Sequence, residues 1–385
     1  MKKIKLGELC KPSAGQIKED SDKLIDYIDI SSVDNETKKV TGYQTIAFRD
    51  APSRARKMVK RGSILVSTVR PNLNAVAMLE DDTPNITIAS TGFCILDCKE
   101  NANNRFIFNF CKSRAFIDDM VSQATGASYP AVSDKIVRSA LVPDYSYEEQ
   151  CKISEVLDRL SAVIDNRKAE LSVLDELIRA RFVEMFGDPV LNEKGWKIVT
   201  VGDIVTEVRY GTSKPAVEGG KYPYLRMNNL TADGHLDLKD LKYIDISEDE
   251  IEKCVVRKGD VLFNRTNSIE LVGKTAVFDL TEEMVIAGYI IRVRLNKEML
   301  PVVFSQYMNL EPLKVILRGM AKGAVNQANI NAQELQSIKV YIPDMKLQNQ
   351  FADFVQQIDK SKDSVQKALD EAQLLFDSLM QQYFG

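Results

Sequence analysis

The chain has 385 residues, 44% of them hydrophobic and 28% charged, with a formal net charge of −4. At roughly 150 residues per domain there is room for two or three packed domains, and this balance excludes a disordered chain. The longest apolar run, Met284–Ile291, has eight residues; a membrane span needs ~20, so no membrane partner is expected.

Residues 1–145 predict a mixed globular domain. It opens on Leu6-Gly7-Glu8-Leu9, and the strand-like Ile64-Leu65-Val66 follows the turn at Gly62. Phe106, Phe110, Cys111, Phe116 and Met120 then recur at amphipathic helical spacing. Residues 146–187 predict one long helix, Ser146–Phe186. Ser146 and Glu149 form a capping box, in which each side chain satisfies an orphan N–H of the other's end. Apolar positions step by four and three through Ile153, Leu157, Leu160, Ile164, Leu171, Leu174 and Ile178, with Arg167 in the middle, and Gly187 and Pro189 stop the helix. Residues 188–343 predict a second globular domain. Residues 344–385 predict a second long helix, Asp344–Phe384, with a seam at Leu347, Phe351, Phe354, Ile358, Ser361, Val365, Leu375 and Leu379. Seams this long favour helix-on-helix supercoiling, and two in one chain most simply satisfy each other.

The second half restates the first. Leu6-Gly7-Glu8-Leu9 returns as Val201-Gly202-Asp203-Ile204, and Tyr27-Ile28-Asp29-Ile30 as Tyr224-Leu225-Arg226-Met227. Arg61-Gly62-Ser63-Ile64-Leu65 returns as Lys258-Gly259-Asp260-Val261-Leu262, and Ala124-Thr125-Gly126-Ala127 as Ala321-Lys322-Gly323-Ala324. Pro143-Asp144 with Gln150 matches Pro343-Asp344 with Gln350, and Phe186-Gly187 matches Phe384-Gly385. Phe106, Phe110, Cys111, Phe116 and Met120 match Val303, Tyr307, Met308, Leu313 and Leu317. These matches fall in one order at nearly one offset, which chance does not produce. An antiparallel pair of long helices would place the two globular copies about a pseudo-twofold axis.

Most catalytic chemistry is missing. The single histidine, His235, sits in the turn Thr231-Ala232-Asp233-Gly234, which excludes multi-histidine zinc sites and leaves a nucleophilic triad without support. The six cysteines lack metal spacing, with Cys94 and Cys98 the one close pair. They read as reduced thiols of a cytoplasmic protein, and Met1-Lys2-Lys3-Ile4-Lys5-Leu6-Gly7 predicts no secretory signal. Val272-Gly273-Lys274-Thr275 imitates the end of a phosphate loop, but Ser268 stands where the first glycine is needed and Ala276-Val277-Phe278 continues as strand. Glu36-x-Lys38 has nuclease-like spacing in a polar turn without a paired Pro-Asp. No metal site and no catalytic residue is assigned.

Side chains suited to reading base edges do recur. Arg fits guanine O6 and N7, and Asn or Gln fits adenine N6 and N7. The second copy offers Arg226, Asn228 and Asn229, then Arg265 and Asn267, then Asn326 and Gln327. The first copy offers Ser31, then Arg70 and Asn72, then Ser128 and Tyr129 at the matching places. Arg54, Arg56 and Lys57 make a local basic cluster, and the two long helices hold −6 of the charge while the globular parts hold +2. Asn and Ser also favour turns, so ordinary turn chemistry is the alternative at each position. A coiled-coil protein–protein scaffold and a nuclease built on Asp/Glu clusters are the alternatives for the chain.

These residues resemble one family, the specificity subunits of type I restriction–modification systems. The resemblance spans the whole chain: paired openings, paired Gly turns, and paired Pro-to-Gln entries into long helices. Tyr210, Thr212 and Lys214 resemble a loop of that family, whereas Ser13-Ala14-Gly15-Gln16 matches it poorly. The resemblance implies an α+β fold: two similar globular α/β target-recognition domains separated by two long helices packed as an antiparallel coiled coil. It implies a non-catalytic subunit that reads a split target in double-stranded DNA. It also implies docking of two DNA methyltransferase (modification) subunits on the helices, joined by restriction/motor subunits. S-adenosylmethionine, ATP and Mg²⁺ would belong to those partners, and this chain would carry no cofactor. A recognition subunit of a modification-only system is the closest alternative.

Overall fold

A computed structural model describes residues 2–12, 22–324 and 327–385. The chain forms two compact units, one of residues up to Lys168 with Lys367–Gly385, the other Ala169–Gln366. Two helices of 40 residues, Tyr147–Phe186 and Met345–Phe384, each contribute one half to each unit. At ~1.5 Å per residue each is about 60 Å long. Among the described residues no helix is long and apolar enough to cross a membrane.

In the first unit a four-stranded sheet runs in the order Gln44–Ala47, Leu24–Ile28, Ile86–Ser90, Ala55–Met58, with a parallel central pair. A three-stranded antiparallel sheet places Ile64–Ser67 between Val76–Met78 and Phe93–Leu96. Ile64, Leu65 and Val66 are all buried, as expected of a strand covered on both faces. Lys3–Lys5 pairs with Leu141–Pro143 and ties the chain's opening to the approach of the long helix.

The second unit repeats this arrangement. Its four-stranded sheet runs Lys242–Ile244, Tyr222–Leu225, Met284–Ile286, Val255–Val256, again with a parallel central pair. Val261–Asn264 lies between Thr275–Val277 and Ile290–Leu295, and Val205–Tyr210 adds a fourth strand at the far edge. The register itself is repeated. Tyr27 faces Ile88 as Tyr224 faces Val285, and Ile64 faces Leu96 as Val261 faces Val293.

The long helices are antiparallel within each unit. In the first, Ile153 and Leu157 from the start of the central helix share a core with Met380 and Phe384 from the end of the C-terminal one. The Phe384 ring lies 5.2 Å from that of Phe106. In the second, Ile178, Phe182 and Phe186 meet Phe351 and Val355, with Phe351 centred 5.4 Å from both Phe182 and Phe186. Ile164 and Val365 are also buried, while Leu160, Leu171, Leu174, Leu347, Phe354, Ile358 and Leu379 are half-buried. The capping box forms as expected: Ser146 N–H donates to Glu149 Oε2 at 2.8 Å, and Glu149 N–H to Ser146 Oγ at 3.4 Å.

Four expectations are corrected. Leu375 lies outside the seam, 52% exposed; after Leu369 the buried line turns onto Phe376, Met380 and Phe384. Ser361 is exposed, and its neighbour Lys362 turns inward to pair with Asp175 at 2.5 Å and Asp233 at 2.9 Å. The amphipathic stretch around Phe110 is two helices, Asn104–Lys112 and Arg114–Gln123, because Ser113 Oγ caps the second by accepting from Phe116 N–H. Gln348, not Gln350, is the counterpart of Gln150. Both are buried, and their Oε1 atoms accept from Leu300 and Asn103 N–H, each at 2.9 Å.

Candidate nucleic-acid interface

In the first unit, Ser31, Arg70 and Tyr129 line one open groove of about 600 Å³. Ser31 sits in the tight turn Ile30–Ser32, which Asp29 caps by accepting from Ile30 N–H at 2.7 Å. Arg70 and Asn74 bracket the turn Pro71–Leu73, both left-handed, at φ 50° and 47°. This conformation is costly for residues with a Cβ and recurs at functional loops. It lifts Arg70 over the exposed Tyr129 ring, 4.6 Å from guanidinium to centroid. Asn72 and Ser128 are exposed beside them.

The basic cluster divides. Arg54 is exposed but pairs with Asp29 at 2.8 Å. Arg56 bonds the Ala55 carbonyl at 2.8 Å and lies 5.8 Å from the Phe48 ring. Lys57 turns inward, its Nζ donating to the Phe93 carbonyl and to Asp134, both at 2.6 Å. It holds the fold and is not offered to a duplex.

In the second unit, Arg265 lies 5.0 Å from the Tyr210 ring and donates to Asn329 Oδ1 at 2.9 Å. Tyr210 Oη in turn accepts from Ala332 N–H at 2.8 Å. Each unit thus stacks an arginine from the loop after its matched strand on a tyrosine, and the tyrosine comes from a different segment in each, Tyr129 in one and Tyr210 in the other. Arg226 donates to Asp240 at 2.7 Å and holds that carboxyl below its usual range. Lys214 pairs with Glu250 and lowers it likewise. Thr212 Oγ1 accepts from Lys214 N–H at 3.2 Å.

Asn228 is exposed, whereas Asn229 is 2% exposed and spent on its own turn. Its Oδ1 accepts from Arg226 N–H, and its Nδ2 donates to the Asp237 carbonyl, each at 2.8 Å. Asn229 is therefore a turn residue rather than a reader. Asn267 is half-buried and accepts from Ser268 N–H at 2.9 Å, while Gln327 is exposed at the start of the strand Gln327–Asn329. Asn326 and the Ser13–Gln16 loop lie outside the described residues.

Two features escaped the sequence reading. Asn329 anchors Arg265, and only its place in the Asn/Gln-rich run hinted at it. Arg292, fully buried, bonds Glu207 at 2.8 Å while Arg294 joins Glu207 and Asp260, each at 2.8 Å, so this unit's outer sheet is braced by charge. Among the described residues no cluster of three metal-ligating side chains is present.

Residues 193–373 match the family described as type I restriction modification DNA specificity domain. The specificity subunit of type I restriction enzyme EcoKI from Escherichia coli K12 is 27% identical over 292 residues, covering 72% of this chain and 63% of that protein. An alignment of that length runs through both copies. The chain is similar to the type I DNA specificity family, whose match covers residues 193–373. The StySPI specificity subunit of Salmonella potsdam is 23% identical over 72% of this chain and 63% of its own length. The chain thus spans about two-thirds or less of these relatives. Two solved structures share the fold. One, from work on complex assembly and conformational transition of the type I R-M system, has a TM-score of 0.59 at 23% identity, covering 100% of this chain and 97% of that one. The Mycoplasma genitalium type I S subunit has a TM-score of 0.58 at 14% identity, covering 100% and 96%. The two units share sheet order and register, with different polar tips.

Proposed function

We propose that this chain is the DNA sequence-recognition subunit of a type I restriction–modification complex, each unit reading one half of a split target. One observation carries this reading: two register-matched copies of one fold present different exposed side chains from equivalent loops. Duplicated scaffolds with different tips suit two different half-sites. Arg70, Asn72 and Tyr129 would serve one half, and Asn228, Arg265 and Gln327 the other. Arg226 and Lys214 would exchange their carboxylate partners for DNA. The long helices would dock two methyltransferase subunits, which bring S-adenosylmethionine. Restriction/motor subunits would bring ATP and Mg²⁺, in the cytoplasm. The chain itself would do no chemistry, a reading supported by its single histidine standing in a turn.

Mapping methylated adenines in host DNA with and without the gene tests the reading. A split motif that vanishes with the gene is expected. Arg70→Ala and Asn228→Ala should then relax different halves, by ~1–3 kcal/mol of discrimination at the affected base pair. A protein–protein scaffold would leave the methylome untouched and show no steep salt dependence of DNA binding.

A further inference from the structure

Six cysteines are free thiols, and two of them face each other across strands. Cys10 and Cys98 form an antiparallel bridge. The flanking backbone bonds run from Lys11 N–H to the Asp97 carbonyl at 2.7 Å and from Lys99 N–H to the Leu9 carbonyl at 2.9 Å. These bonds skip the two cysteines themselves, so this is a non-hydrogen-bonded pair, whose Cα atoms stand about 4.5 Å apart. That lies within the roughly 4.4–6.8 Å a disulfide spans, so no backbone movement is required.

The second copy identifies what else could occupy the position. The counterparts of Cys10 and Cys98 are Val205 and Leu295, which face each other in the same register. An ordinary apolar pair satisfies the fold there. Sulfur at both positions in the first unit is therefore not demanded by packing.

We propose that Cys10 and Cys98 are an oxidisable dithiol that closes into a disulfide staple in the first unit alone. The reagent class is a low-molecular-weight disulfide such as oxidised glutathione. Cys98, the more exposed sulfur, attacks one sulfur of the reagent, and the first small thiol leaves. Cys10 then attacks Cys98, the Cys10–Cys98 bond forms, and the second small thiol leaves. The two protein S–H protons end on the two released thiols, so the small disulfide is reduced as the dithiol is oxidised. In the reduced pair the Cys98 hydrogen bond holds the Cys10 thiol down, while that bond and burial push Cys98 up, so Cys98 goes first by access to the reagent and not by acidity. Once Cys98 is in the mixed disulfide that bond is gone, and Arg138 and Lys99 still favour the Cys10 thiolate for the resolving step. The neighbouring Cys94 is pushed up to about 12 by burial, and Cys111 also well upward, which keeps both as inert thiols.

The test oxidises the purified full chain with glutathione disulfide, alkylates it, and maps peptides without reduction. A Cys10–Cys98 cross-link, reversed by dithiothreitol, is expected. Cys98→Ser should leave Cys10 free, and Cys10→Ser should strand a glutathione on Cys98. The double variant Cys10→Val with Cys98→Leu borrows the second copy's pair. It should fold, and its melting point should ignore the oxidant, while the wild type's rises by about 5 °C or more. Links through Cys94, Cys111 or Cys151, links between chains, or a wild type that stops at the mixed disulfide would each overturn the staple. None of these readouts depends on DNA recognition.

Discussion

Asn228 and Asn229 are identical letters with opposite duties, and the difference lies in burial alone. Asn229 fills its donor and acceptor inside the turn, so Asn229→Ala strands Arg226 N–H and the Asp237 carbonyl. We expect a loss of about 1–3 kcal/mol in urea unfolding, with Asn228→Ala near neutral in the same assay. Lys57 carries the same lesson: sequence composition counts its charge, but tertiary contacts decide which way it points. Lys314 adds a pH dependence. It is 8% exposed with Nζ on the Gly273 carbonyl, and burial lowers its ammonium to about 7. The unfolded lysine keeps its proton to about 10.4. Between these values the unfolded state binds the extra proton, so stability rises with pH. Below about 7 both states are protonated and the folded state bears the full cost of the buried charge. Lys314→Met should flatten the climb in urea midpoint between pH 7 and 9; an unchanged slope would assign it to other groups.

Among elements, the two long helices were the most legible, because heptad spacing, a capping box and a terminal glycine agree. Gly187 does take the left-handed conformation a helix end favours, at φ 83°. Register was legible only where apolar residues stand alone. Leu374-Leu375-Phe376 offers three adjacent choices, and a strict step of three or four selects Leu375. Core packing selects Phe376, which joins Met380 and Phe384 against the first unit's aromatic helix. Phe384→Ala should therefore cost ~3–5 kcal/mol, while Leu375→Gln should stay within ~0.5 kcal/mol. Circular dichroism melts of the two variants separate these outcomes, and equal losses would return Leu375 to the seam. The sheets were legible as strand-like fragments but not as an order, since the parallel central pair joins residues some 60 positions apart. The Gln latch was misaligned by two because Gln348 and Gln350 are chemically identical; only burial tells which one closes onto Leu300 N–H.

At the scale of the whole molecule, duplication separates what each half reads from what the halves share. Both long helices pass from one unit to the other, with the division at Lys168/Ala169 and Gln366/Lys367. If each unit reads a half-site, the length of these helices sets the number of base pairs between half-sites. Four residues inserted after Lys168, with four more after Gln366, lengthen each helix by ~6 Å. Duplex DNA advances ~3.4 Å per base pair, so the gap in the target should grow by about one or two pairs. The half-sites should stay as they were, because no loop in either sheet region is altered. Four residues are close to one helical turn, so the apolar stripe returns nearly to phase, with slight local unwinding because the seam repeats every 3.5. The readout is the methylated motif of cells carrying the variant, mapped across the genome. A longer gap between unchanged half-sites is the expected result. An unchanged gap at full methylation would show that spacing is fixed elsewhere, while each unit could still read its own half.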